Sequence, residues 1–229
     1  MWCGAVHWAR KWFQDVTIYT DDEGGDLLYR KLGLPFNWVL PLQPLPDPRL
    51  ARIYELPKLE AVKDHIESTG RPCLHIDHDL YMRKCPPLDA PLLCEQIMEP
   101  KEEVTAVHAT IPLKRMAVCG KRCSTALFGG TDTAALLAYT TDSLRVAFAP
   151  ENREFLCGTN GYVASSYLGE AAAFSDFGNR ITALPSRRHF VHLGGGKANA
   201  GLVAQGMAWV KDDWPEEYAK LHRRWLEIL

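Results

Sequence analysis

Two carboxylates one residue apart, Asp77 and Asp79, close the stretch His75-Ile76-Asp77-His78-Asp79, and this spacing constrains the chain more than any other feature. The apolar approach Arg71-Pro72-Cys73-Leu74 follows a helix-like segment that stops at Gly70, so residues 72–78 read as a short buried strand. In extended backbone alternate side chains point the same way, which predicts that Asp77 and Asp79 converge on one point beyond the strand end. Close carboxylates repel each other unless a cation lies between them or one takes up a proton, and oxygen ligands favour magnesium or manganese. An Asp-x-Asp triplet is short, and a solvated acidic strand end is the plain alternative.

The segments around this stretch alternate between helical and extended patterns. Val6, Ala9, Trp12, Phe13 and Val16 recur at helical spacing, with Arg10, Lys11 and Gln14 opposite, so Trp8, Trp12 and Phe13 read as core rather than as a binding stripe. Val16-Thr17-Ile18-Tyr19-Thr20 reads as a strand running into the acidic turn from Asp21. A helix from Asp26 to Leu32 closed by Gly33, a strand at Asn37–Leu40 and a proline-spaced loop through Pro41, Pro44, Pro46 and Pro48 follow. Lys58–Ser68 is the helix that leads into the acidic strand.

Beyond the triplet the pattern is less regular. Residues 100–120 are ambiguous. Ser124–Phe128 reads as a strand meeting Gly129-Gly130, after which Thr131 and Asp132 cap a helix. Residues 151–173 look helical with Gly158 and Gly161 interrupting, Phe190–Leu193 is a last short strand, and two helices close the chain, the second from Pro215. The alternation is that of an α/β layer fold, and one domain over residues 1–229 is the simplest division.

A second cluster, His192-Leu193-Gly194-Gly195-Gly196-Lys197, sets an imidazole, three glycines and a cation within six residues. Glycines let backbone amides approach a diphosphate, lysine supplies a mobile charge, and a neutral imidazole completes a manganese shell begun by two carboxylates. Taken alone, this stretch is equally a glycine-rich turn beside a buried histidine. The net charge of -2 gives no basic footprint for nucleic acid. Seven cysteines without zinc-pair spacing fit reduced thiols, and no stretch is apolar for long enough to span a bilayer. These features point to a cytoplasmic chain with no nucleic-acid partner. Arg187-Arg188 reads as a solvated turn, and His65, His108 and His189 have no partner visible in sequence.

Asp77-His78-Asp79 resembles the Asp-x-Asp metal motif of GT-A glycosyltransferases, and His192 to Lys197 fits the His-x-Gly-x-x-Lys pattern of glycosyltransferase family 8 and its relatives. Tyr19-Thr20-Asp21, the run from His75 to Pro86, and Leu127-Phe128-Gly129-Gly130 are similar to further segments of that group. The resemblance covers most of the chain from about residue 8. It implies a GT-A-type, Rossmann-like mixed sheet flanked by helices, without its usual first strand. It also implies a nucleotide-sugar donor, most often UDP-linked, an unknown acceptor, and a manganese (or magnesium) ion held by Asp77, Asp79 and His192. Gly194, Gly195 and Lys197 would meet the diphosphate, with Asp77, Asp79 and Lys197 carrying the chemistry and retention as the outcome. Gln96, Phe128, Gly129, Gly130 and Asp132 would lie on the substrate side.

The chain departs from the group at three places. The strand that usually opens such a domain is not visible upstream of the first helix, Ser124-Thr125-Ala126 stands where relatives carry Asn-Ala-Gly, and Ser165-Ser166 stands where they carry Glu-Gln. Two other readings stay open: a nucleotide-sugar-binding domain of the same fold that does not transfer, and a phosphatase of the haloacid dehalogenase type. The latter uses the first Asp as nucleophile, but it expects Thr or Val after the second, where this chain has Leu80.

Overall fold

The helix before the acidic triplet ends at Gly70, whose φ of 65° is left-handed, and its N–H closes the last turn on the Ile66 carbonyl. A side chain there would be strained, so the stop is written into the residue type. The computed structural model describes residues 2–99, 121–184, 190–193 and 200–228. Gly194, Gly195, Gly196, Lys197, Arg187, Arg188, His108, His189 and the ambiguous 100–120 stretch lie outside the described residues.

In chain order the elements are α1 (Trp2–Trp12), β1 (Thr17–Thr20), α2 (Asp22–Gly25) running on as a π-turn over Asp26–Lys31, and β2 (Trp38–Pro41). A 3-10 turn (Pro48–Arg52) leads to α3 (Glu55–Thr69), β3 (Cys73–Ile76) and β4 (Leu80–Met82). Next come β5 (Leu92–Cys94), β6 (Ile97–Met98), β7 (Arg122–Cys123), β8 (Leu127–Gly130), α4 (Thr133–Phe148), α5 (Pro150–Gly158) and α6 (Gly161–Ser165). The helix continues through π-helical Ser166–Ala171 into α7 (Ala172–Phe177). Strands β9 (Ile181–Ala183) and β10 (Phe190–His192) and helices α8 (Ala200–Asp213) and α9 (Pro215–Ile228) complete the order. The protein is therefore mixed α/β, with a mixed sheet flanked by helices. No helix among the described residues is long and apolar enough to cross a membrane.

Two compact units divide the chain, one from residues 1–42, 76–86 and 185–229, the other from 43–75 and 87–184. In the first, β1 and β2 pair in parallel, Thr17 opposite Trp38, and β10 pairs antiparallel with β4. Val6, Ile18, Leu28, Leu32, Leu34 and Phe36 form its apolar cluster. Asp21 caps α2 by accepting from the Gly24 N–H, so the helix begins four residues before the predicted start at Asp26. A side-chain cap at Asp21 sets the start one turn earlier.

In the second unit the sheet order is β3-β8-β5-β9, with β5 antiparallel to β8 and parallel to β9. Here α3 and α4 pack together around Leu56, Leu59, Leu136 and Tyr139. Gly129 allows the close approach of β8 to β3, because a Cβ there would sit 2.1 Å from the Cys73 carbonyl oxygen. Two expectations are corrected here. Ser124, Thr125 and Ala126 form a turn between β7 and β8, not the start of a strand, with the Glu95 N–H reaching the Leu127 carbonyl at 3.0 Å. And β3 is half-buried rather than buried, ending at Ile76. Cys73, Cys85, Cys94, Cys123 and Cys157 are free thiols. A hydrogen bond with Cys94, together with burial, pushes the Cys123 thiol well above its ordinary range.

Candidate metal centre

The acidic triplet is a turn, not an extended strand end. Strand β3 stops at Ile76, His78 and Asp79 turn, and the Leu80 N–H donates to the Asp77 carbonyl at 3.1 Å before β4 begins. Convergence of Asp77 and Asp79 thus comes from chain reversal, where extended alternation had been predicted. The turn sets Asp79 immediately before β4, next to the strand that pairs with β10.

That partner is His192 at the end of β10. The ladder sets Phe190 opposite Met82, Val191 opposite Tyr81 and His192 opposite Leu80, and the Leu193 N–H donates to the Asp79 carbonyl at 3.1 Å. Leu80, Tyr81 and Met82 are all fully buried, so both faces of β4 are packed and its register is held by the fit of those side chains. Histidine Nε2 consequently stands 3.5 Å from Asp79 Oδ1. Asp79 is 2% exposed, while Asp77 and His192 are half-buried.

One ligand atom from each of Asp77, Asp79 and His192 lies within 4.8 Å of the others. With metal–ligand bonds of about 2.0–2.6 Å, two donors on one ion lie at most about 5 Å apart, so the three fit a single divalent cation. Two carboxylate oxygens and one imidazole nitrogen form a donor set for a divalent cation.

The residues expected on the substrate side belong to the second unit. Phe128 is buried and packs its ring 5.5 Å from Tyr139 and 6.1 Å from Phe177, which makes it a core residue. Gly129 and Gly130 are accounted for by close backbone approach, the latter to the Pro91 carbonyl. Asp132 caps α4 through the Ala135 N–H and pairs with Arg180 at 3.2 Å. Gln96 accepts from the Ser124 N–H through its carbonyl.

Sequence reasoning missed a group of charged residues in this unit altogether. Glu55 and Arg122 are buried at 2% and 1% exposure, Glu170 lies beside them, and Ser165 and Ser166 are fully buried. Charged and hydroxyl residues are ordinarily solvated, and their partners lie tens of residues away, so only the spacing of Glu55 and Lys58 on one helix face was a local signal. A scan against protein-family models found no match, and a search of curated proteins likewise found none.

Proposed function

We propose that the chain is a metal-dependent glycosyltransferase of GT-A type that moves a sugar from a nucleotide-diphosphate donor, UDP-linked in the first instance, to an acceptor with retention. The observation that carries this reading is the meeting of Asp77, Asp79 and His192 across the β4–β10 ladder. Asp77 and Asp79 would hold Mn2+ by oxygen and His192 by nitrogen, and the ion would supply charge stabilisation to a departing diphosphate. Leu193 leads from β10 into Gly194-Gly195-Gly196-Lys197, whose composition suits a diphosphate: glycine amides donate, and the Lys197 ammonium neutralises charge on the leaving group. Asp79, nearly enclosed, keeps the ligand set fixed, while half-buried Asp77 and His192 leave a side open to the donor. The phosphatase alternative gives no role to a histidine 3.5 Å from its second aspartate.

One observation favours a second reading, binding without transfer. Where relatives of the resembled group carry a Glu-Gln pair, Ser165 and Ser166 are both buried in the helix, and Ser166 accepts from Arg122. Incubating the protein with a panel of UDP- and GDP-sugars and measuring released nucleotide tests both. Manganese-dependent release that Asp79→Ala abolishes, and that Lys197→Ala lowers more in turnover than in donor affinity, is the expected result. Nucleotide binding with no release above a metal-only background selects the second reading, and neither binding nor release removes both.

A further inference from the structure

The first unit is assembled from three stretches of the chain, residues 1–42, 76–86 and 185–229, and the short middle stretch joins the other two. It carries β4, whose ladder with β10 ties it to the third stretch and whose Tyr81 packs against the first. Tyr81 is fully buried with its ring between two glycines. A Cβ on Gly206 of α8 would clash with one edge of the ring, and one on Gly4 of α1 would stand 3.2 Å from the other. The Trp8 ring lies 5.1 Å away. One residue past β4, Arg83 donates to Asp213 at the end of α8 through two hydrogen bonds of 2.8 and 3.0 Å, and its guanidinium lies 4.4 Å over the Trp209 ring. Trp8 Nε1 donates to the same Asp213 at 3.1 Å, so α1, the end of β4 and α8 meet on one carboxylate.

The three candidate ligands sit on this same join. Asp77 and Asp79 belong to the middle stretch and His192 to the third, so a cation held by all three cross-links two stretches beside their ladder. That ladder is only three residue pairs long. A short ladder with few hydrogen bonds opens locally at less cost than the whole fold, and a ligand that needs both strands in place depletes the open form by mass action. The inner contacts of α1 and α8 depend on β4 staying seated, because Tyr81 and Arg83 make them. None of the three ligands belongs to the second unit.

We propose that a divalent cation on Asp77, Asp79 and His192 has a structural duty separate from any part in sugar transfer: it staples β4 to β10 and, through Tyr81 and Arg83, holds α1 and α8 on the strand between them. Binding of the ion then tightens the first unit and leaves the second as it was. This role rests on the reading of these three residues as metal ligands, and it needs neither donor nor acceptor. Coupling between a bound ion and the packing around it is reciprocal, so whatever seats β4 also keeps the ligands ready for the ion. Tyr81 and Arg83 are therefore positioning residues, since they touch neither the ion nor a substrate and act through the strand that follows Asp79.

Hydrogen exchange of the full chain, followed by mass spectrometry in MnCl2 and in EDTA, tests this with the metal alone. Paramagnetic resonance of free Mn2+ first measures binding, and a wild type that binds none removes the metal reading and the staple with it. At a Mn2+ concentration ten times the dissociation constant, amide exchange in β4, α1 and α8 is expected to slow about tenfold, while α3 and α4 of the second unit change by less than about twofold. Asp79→Ala should abolish the slowing. Slowing confined to residues 77–80 and 192–193, or equal in both units, overturns the staple and leaves the metal reading standing. Reciprocity is read in Gly206→Ala, whose Cβ would push on the Tyr81 ring and should weaken Mn2+ binding about tenfold. If that variant fails to fold, Arg83→Met, which gives up the Asp213 bonds, is held to the same loss. Unchanged Mn2+ affinity in the variant that folds likewise overturns the staple.

Discussion

The two polar centres of this protein solve the problem of buried charge in opposite ways. The first gathers two carboxylates and an imidazole at a turn and a ladder end, where one atom from each could meet on a single cation. The second sets Glu55 and Glu170 against Lys58 and Arg122, supplying its counter-charges from its own chain. Removing a carboxylate should relieve the first and unbalance the second. The same kind of substitution therefore has opposite signs in the two places.

The largest effect is expected where balance is internal. Arg122→Met leaves Glu170 buried beside Glu55 without its guanidinium and should destabilise the protein by about 3–5 kcal/mol. Urea titration reads this loss, and Arg122→Met with Glu170→Leu should return most of it. If single and double variants are equally unstable, the pair is not what the site balances.

At the metal centre the effect moves from stability to affinity. Asp79→Ala should weaken Mn2+ binding by at least about 100-fold, given that outer-sphere changes alone cost 10–100-fold, while metal-free melting stays level or rises. Thermal shift with and without manganese checks both halves. Equal stabilisation of wild type and variant by the ion would break the contrast.

The smallest effect is a pH slope. Glu170 is raised by burial first and by the Glu55 charge second, against the lowering influence of Arg122, Ser166 and Lys58. A carboxyl with a raised folded-state pKa binds its proton more tightly when folded. Its contribution is present below the ordinary value of 4.5 and is lost as pH rises through the raised value. Denaturation followed upward from pH 4 should show this loss in wild type and a flatter profile in Glu170→Gln; parallel profiles would assign the slope elsewhere.

The contrast also separates what sequence made legible from what it did not. Asp77, Asp79 and His192 could be singled out because each sits in a short pattern whose residue types share one chemistry, and β4 and β10 place them side by side. The means of convergence was misread, since one intervening residue is compatible with a strand or a turn and only Leu80 pairing to Asp77 decides. β9 went unseen because Ile181-Thr182-Ala183 is too short to show a period. The second centre left almost no trace, because Arg122 stands 44 and 48 residues from its partners Ser166 and Glu170, and no local propensity announces a pairing at that distance.

The β4–β10 ladder has a kinetic consequence. It joins strands about 110 residues apart in the chain, so its closure carries a large loop entropy and belongs among the slow, non-local steps of folding. Asp77 and Asp79 come within a few residues of each other early, but His192 arrives only when that ladder zips. A paramagnetic ion added during refolding would therefore act as a clock for the last long-range contact, its tight binding appearing with the slowest phase instead of with the first helices.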